Sequence, residues 1–153
     1  MQTSLDKHLR DSKIDHDLRH LIMKIAQTSK YIHNAMQTGD LGMAGTSNMY
    51  GESQLALDVL SNQIFVKELE DSHYTTCLAS EEMDEICKIP EEKQGKYAVV
   101  FDPLDGSSLV NANLAIGSIF GIYETDEIIG LKGDDQVASL IIVYGPRATL
   151  SCT

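Results

Sequence analysis

The residues of this chain best suited to chemistry lie in one octet, Phe101-Asp102-Pro103-Leu104-Asp105-Gly106-Ser107-Ser108. Asp102 and Asp105 are carboxylates three residues apart, with the Leu104 carbonyl between them. Hard oxygen ligands on a stiff turn suit Mg²⁺, which is usually bound by one or two carboxylates together with substrate phosphate. Gly106, Ser107 and Ser108 follow, with small side chains that leave backbone N–H groups open. Such groups make a natural anion seat, especially at a helix N-terminus. Taken alone, Asp-x-x-Asp-Gly is an ordinary turn, because Asp, Pro and Gly are turn residues. The whole octet directly behind a strand, with metal ligands and phosphate donors in adjacent slots, favours a cation and a phosphate instead.

Other elements must hold these groups in place. Tyr97 to Phe101 is a β-branched and aromatic run of the kind that forms a buried strand. Pro103 lacks an N–H and fixes φ, so the ladder is expected to stop there. Tyr74 to Ser80 reads as a second strand, ending in Glu81-Glu82. Adjacent acids on extended chain point to opposite sides and can take different roles.

Leu18, Leu21, Ile22, Ile25, Ala26, Ile32 and Met36 recur at helical spacing and predict an amphipathic helix from Asp15 to about Thr38. His16, His20 and His33 lie on or near its polar side and read as solvated or locally bonded. Glu52 to about Asp71 is a further helix, with Leu55, Val59, Leu60, Ile64, Phe65 and Leu69 as its buried stripe. Glu52 sits in its first turn, where the helix dipole favours negative charge. Asp58 is flanked by Leu57, Val59 and Leu60, where a bare charge is costly unless it turns to the polar face.

Leu114 to Tyr123 and Arg147 to Thr153 read as strands, and Gln136 to Tyr144 as a short apolar helix or strand. Residues 1 to 14 are expected to form a polar arm, and residues 39 to 51 and Met83 to Gln94 loops. Asp126 to Asp134 reads as a charged hairpin or loop.

A chain of 153 residues, 42% of them hydrophobic, is long enough for one domain with a real core. Its net charge of −11 argues against a nucleic-acid or anionic-membrane surface. An acidic protein acting on a phosphate needs cations to offset its field, which again favours a metal site. Cys77, Cys87 and Cys152 are an odd, unevenly spaced set without C-x-x-C, and read as reduced thiols. No signal-peptide region and no apolar run of membrane-spanning length is seen, so a cytoplasmic location is expected.

The octet resembles the metal-binding signature of the fructose-1,6-bisphosphatase and inositol monophosphatase superfamily of Mg²⁺-dependent sugar and inositol phosphatases. Gly51 to Ser61, Ala79-Ser80-Glu81-Glu82, Gly95-Lys96-Tyr97, Gly117 to Tyr123 and Tyr144-Gly145-Pro146 fall in the same order as in that family. The long Gly117 to Tyr123 segment resembles the bisphosphatase branch. The resemblance implies an α+β fold, helices packed on a largely antiparallel sheet, and makes residues 1 to 153 the N-terminal, metal-binding domain of a sugar bisphosphatase without its second domain. It implies Glu81, Asp102, Leu104 and Asp105 as ligands of Mg²⁺, with Mn²⁺ or Zn²⁺ as substitutes. It also implies that Asp58, Glu82 and Glu52 form the catalytic acidic cluster and that Gly106, Ser107 and Ser108 hold the substrate phosphate. Glu52 stands where many relatives have Asp.

The implied reaction is hydrolysis of the 1-phosphate of fructose-1,6-bisphosphate by a homo-oligomer acting on a small-molecule sugar bisphosphate. Sedoheptulose-1,7-bisphosphate is the alternative substrate: Leu109 and the segments Asp135 to Ala138 and Tyr144 to Arg147 look more like that side of the family. An inositol monophosphatase-like activity is a further possibility. A different class of reading is a non-catalytic metal-binding or oligomerisation module. Lys96 and Tyr97 match half of the AMP site of animal fructose-1,6-bisphosphatases, but the segment that supplies the other half is absent, so AMP control is not expected. Thioredoxin switching is not expected either, since Leu41 and Thr46 stand nearest the positions of the redox Cys pair of chloroplast relatives.

Overall fold

The computed structural model describes residues 3–38, 52–107 and 116–153, and the side chains of all of these except 52–56. Three helices, α1 (Leu5–Asp11), α2 (His16–Thr38) and α3 (Glu52–Glu70), precede the strands β1 (Thr75–Ser80), β2 (Cys87–Lys88), β3 (Tyr97–Asp105), β4 (Ile116–Glu124), β5 (Ala138–Tyr144) and β6 (Thr149–Cys152). The strands form one sheet in the order β2-β1-β3-β4-β5-β6. Only β1 and β3 pair in parallel; every other pair is antiparallel. The fold is α+β.

The core lies between the helices and one face of the sheet. Register places Phe101 opposite Phe120 and Phe120 opposite Leu140, and one step along places Val99 opposite Ile122 and Ile122 opposite Ala138. These side chains pack with Leu21, Ile22, Ile25 and Ile32 of α2 and with Leu57, Phe65 and Leu69 of α3. Each large apolar side chain fully buried contributes about 1.5–3 kcal/mol. At the centre Phe65 meets Phe120 edge-on at 4.9 Å, and Phe101 stacks on Phe120 at 5.5 Å. Phe101 directly precedes Asp102, so the residue that anchors the core also anchors the acidic turn.

Four expectations need correction. Residues 1 to 14 are not a free arm: Ser4 caps α1, its hydroxyl accepting from Lys7 N–H, and Leu9 is buried. β3 does not stop at Pro103 but runs to Asp105, with Pro103 buried in a bulge between Asp102 and Asp105, where the missing donor breaks no regular pairing. The stretch from Met83 to Gln94 holds β2 and a single 3₁₀ turn, Glu91–Lys93, because buried Ile89 pins it to the sheet. On α3, Val59 faces water while Asp58 and Ser61 are buried with Phe65 and Leu69. That helix is apolar on more than one side, so its buried face was not legible from pattern.

The predicted strand beginning at Leu114 is observed from Ile116, its first two residues lying outside the described residues. The ambiguous stretch from Gln136 to Tyr144 is the strand β5. The histidines are locally bonded: His33 donates to the Gly145 carbonyl at 2.8 Å, and His20 to the His16 carbonyl at 2.7 Å.

Candidate active site

Because β1 and β3 run in the same direction, their C-terminal ends leave the sheet at one edge. Ser80 stands opposite Phe101, and Glu81 N–H donates to the Phe101 carbonyl at 3.1 Å. The next residue along β3 is Asp102, whose carboxyl group lies close enough to that of Glu81 for the two to act on each other. Burial, then Glu81 and then the charge of Asp105 push Asp102 up to about 6, while the Leu104 N–H works in the other direction. That N–H donates to Asp102 Oδ1 at 2.9 Å and fixes the carboxylate against the bulge.

α3 brings Asp58 to the same place. The residue is buried, and its Oδ1 has no hydrogen-bond partner. Burial pushes its carboxyl up and so does the charge of Asp102, with the Ser107 hydroxyl donating to it and opposing both. Loss of hydration in the acidic cleft, then the charges of Asp58 and Asp102, push Glu82 up although the residue as a whole is exposed. Glu82 N–H donates to Ser80 Oγ at 3.3 Å. Asp105 is exposed at the rim. Gly106 turns the chain with φ 78°, a conformation costly for any residue with a Cβ.

Asp58, Glu81, Glu82, Asp102, Asp105 and Ser107 thus act on one another at a single edge. Leu104 is buried in the bulge between the aspartates. The Glu52 side chain, Ser108 and Leu109 lie outside what is described. No Lys or Arg is among the groups that shift Asp58, Glu82 or Asp102.

The donor set fits a hard divalent cation. It consists of oxygen atoms, the neighbouring carboxyls of Glu81 and Asp102 repel each other where a cation would relieve them, and one buried carboxylate oxygen, Asp58 Oδ1, is orphaned. Among the described residues, no three acidic, His or Cys groups close round one point as a finished cation cage would. The acids stand as a pair, Glu81 with Asp102, flanked by Asp58, Glu82 and Asp105.

Two buried hydroxyl groups behind the acidic turn, those of Ser118 and Tyr144, were not singled out from the sequence as part of the site. Ser118 is fully buried on β4; its Oγ donates to the Pro103 carbonyl at 2.7 Å and lies 2.7 Å from the buried Tyr144 hydroxyl. A lone hydroxyl between Gly117 and Ile119 in an apolar strand was the available signal. Lys96 and Tyr97 are also engaged: Tyr97 Oη donates to Asp15 at 2.8 Å and Lys96 reaches Asp15 and Asp17 at 3.3 Å each. Asp15 caps α2, accepting from Asp17 N–H and Leu18 N–H, so the matched half of the AMP site is tied to the start of that helix.

The chain is similar to known proteins over nearly its whole length. The family model described as "Fructose-1-6-bisphosphatase, N-terminal domain" matches residues 2–153. Class 1 fructose-1,6-bisphosphatase of Geobacter sulfurreducens is 54% identical over 149 residues, covering 97% of this chain and 47% of the relative. The chloroplastic sedoheptulose-1,7-bisphosphatase of Spinacia oleracea is 36% identical over 146 residues, covering 95% of this chain and 38% of the relative. The crystal structure of Leishmania major fructose-1,6-bisphosphatase in holo form superposes with a TM-score of 0.83 at 33% identity, over 100% of this chain and 48% of that one. The chain therefore spans about half the length of the relatives it matches.

Proposed function

The chain belongs to the fructose-1,6-bisphosphatase family, and from that premise we propose that it is the N-terminal, metal-bearing half of a Mg²⁺-dependent phosphatase that releases the 1-phosphate of fructose-1,6-bisphosphate. The observation that supports this reading most is the meeting of carboxyl groups from α3, the end of β1 and the end of β3 beside the Gly106-Ser107 turn. Glu81, Asp102, Asp105 and the Leu104 carbonyl would hold the cation. When bound, it supplies Lewis-acid charge to the phosphoryl oxygens and the leaving alkoxide. Asp58 and Glu82, with carboxyls pushed up by burial and by neighbouring charge, accept the proton of the attacking water more readily than ordinary carboxylates do near neutral pH. Glu52, the first residue of α3, is assigned to the same catalytic set by the family resemblance. Backbone N–H groups of Gly106, Ser107 and Ser108 receive the transferred phosphate.

The whole protein is read as a cytoplasmic homo-oligomer of carbohydrate metabolism. Identity of 54% to a fructose-1,6-bisphosphatase against 36% to a sedoheptulose-1,7-bisphosphatase orders the two substrates. The test is phosphate release by the full-length protein from both sugar bisphosphates and from an inositol monophosphate, with and without Mg²⁺. Release from fructose-1,6-bisphosphate that a chelator stops is the expected result. A cation bound by the full-length protein without hydrolysis of any of the three would leave a metal-binding module in its place.

A further inference from the structure

Ser118, Tyr144 and one peptide group of the bulge form a continuous chain of hydrogen bonds that ends on Asp102. Ser118 Oγ–H donates to the Pro103 carbonyl, which has no hydrogen of its own to offer. With that proton given to Pro103, the Tyr144 hydroxyl, 2.7 Å from Ser118 Oγ, is the donor of the pair; Ser29 Oγ, which itself donates to the Ile25 carbonyl, is the other oxygen beside the phenol. Pro103 C=O and Leu104 N–H belong to the same planar peptide unit, so holding the carbonyl orients the N–H. The Leu104 N–H donates in turn to Asp102 Oδ1. Every donor points the same way, from the phenol through the hydroxyl and the peptide to the carboxylate. Such chains polarise cooperatively when shielded from water, and Ser118 and Tyr144 are both buried. His33 of α2 stacks on Tyr144 at 6.0 Å and closes the inner end.

We propose that Tyr144 and Ser118 are positioning residues that set the Pro103–Leu104 peptide, and through it the Asp102 carboxylate, in the orientation the cation site requires. This rests on the cation-dependent reading above and deepens it: the relay lies in the core between the sheet and α2 and acts only through Asp102.

The experiment uses the full-length protein and its variants Tyr144→Phe, Ser118→Ala and Ser118→Thr. Mn²⁺ affinity, the KM and kcat for fructose-1,6-bisphosphate at saturating Mg²⁺, and the amide shift of Leu104 in cation-free protein carrying isotope-labelled leucine are measured. Removing a partner behind a metal ligand typically weakens metal affinity roughly 10- to 100-fold. Ser118→Ala is expected in that range, Tyr144→Phe at its lower end, and Ser118→Thr, which keeps the hydroxyl, within about 3-fold of the parent. KM for the sugar bisphosphate should stay within about 2-fold. A lower melting temperature with unchanged Mn²⁺ affinity and an unmoved Leu104 amide overturns the proposal. Should the parent bind no divalent cation while the Leu104 amide still moves in Tyr144→Phe, the phosphatase reading falls and the relay to Asp102 stands.

Discussion

Among single residues, Asp102 has the most telling environment, because its carboxyl is pushed up to about 6 from an ordinary 3.8. A raised carboxyl binds its proton more tightly in the folded chain than in the unfolded one. Its stabilising contribution is therefore complete below about 3.8 and is lost as the pH rises through about 6. Asp58 and Glu82 are shifted the same way and add to the effect. Thermal melts of cation-free protein should show stability falling as the pH rises through this window. Added Mg²⁺ should recover the loss, more fully at higher pH, and a melting curve indifferent to pH and Mg²⁺ would contradict the shared site. Asp105→Asn removes charge at nearly constant size. Since partners behind a ligand already cost 10–100-fold in affinity, loss of a direct ligand should lower Mg²⁺-dependent turnover by at least about 100-fold with the melting point of the cation-free protein preserved. Asp102 and Asp105 stood out in sequence through their spacing after a strand, whereas Asp58, Glu81 and Glu82 stood out only through the family resemblance. Their degree of burial was not legible, since it depends on which face α3 turns inward.

At the scale of elements, β3 links core and site, with α2 fixed to its first residue and the acidic turn at its last. Asp15 caps α2 and accepts the buried Tyr97 hydroxyl. Asp15→Ala should lower the midpoint of chemical denaturation, because it removes the cap of α2 and leaves the buried Tyr97 phenol unpaired. Those same bonds hold the Asp15 carboxyl well below its usual range, so its contribution is present above about 3.8 and the gap between parent and variant should narrow as the pH falls below that value. Gly117, paired with Asp105, is a second sensitive point: a Cβ there would lie 2.5 Å from the Ile142 carbonyl. Gly117→Ala must therefore part β4 from β5 beside the acidic turn, and should reduce both melting temperature and Mg²⁺ affinity. The sequence announced the helices α2 and α3 and the strand β3 through period and composition. It concealed α1, whose seven residues give too little period to read, and β2, whose two residues exist only as partners of Cys77 and Leu78.

For the molecule as a whole, the two faces of the sheet differ. Helices cover one, while Ile119, Ile141 and Val143 stand exposed on the other, where a hollow of about 410 Å³ is lined by Ile119, Ile141, Val100, Asp102, Gly121 and Gln136. Neighbouring exposed apolar side chains of this kind mark contact surfaces or association hazards. The 153-residue chain made alone should therefore scatter light as an associating species and bind a hydrophobic dye, and the full-length protein should do neither. The acidic edge has a different consequence, one of timing. With a net charge of −11 and no cationic side chain among the groups acting on Asp58, Glu82 or Asp102, an incoming phosphate first meets repulsion over a range of about 10 Å at ordinary salt. If the proposed function holds, the two guests are expected in a fixed queue, metal before phosphate. Calorimetry should register no heat from inorganic phosphate until Mg²⁺ has been admitted.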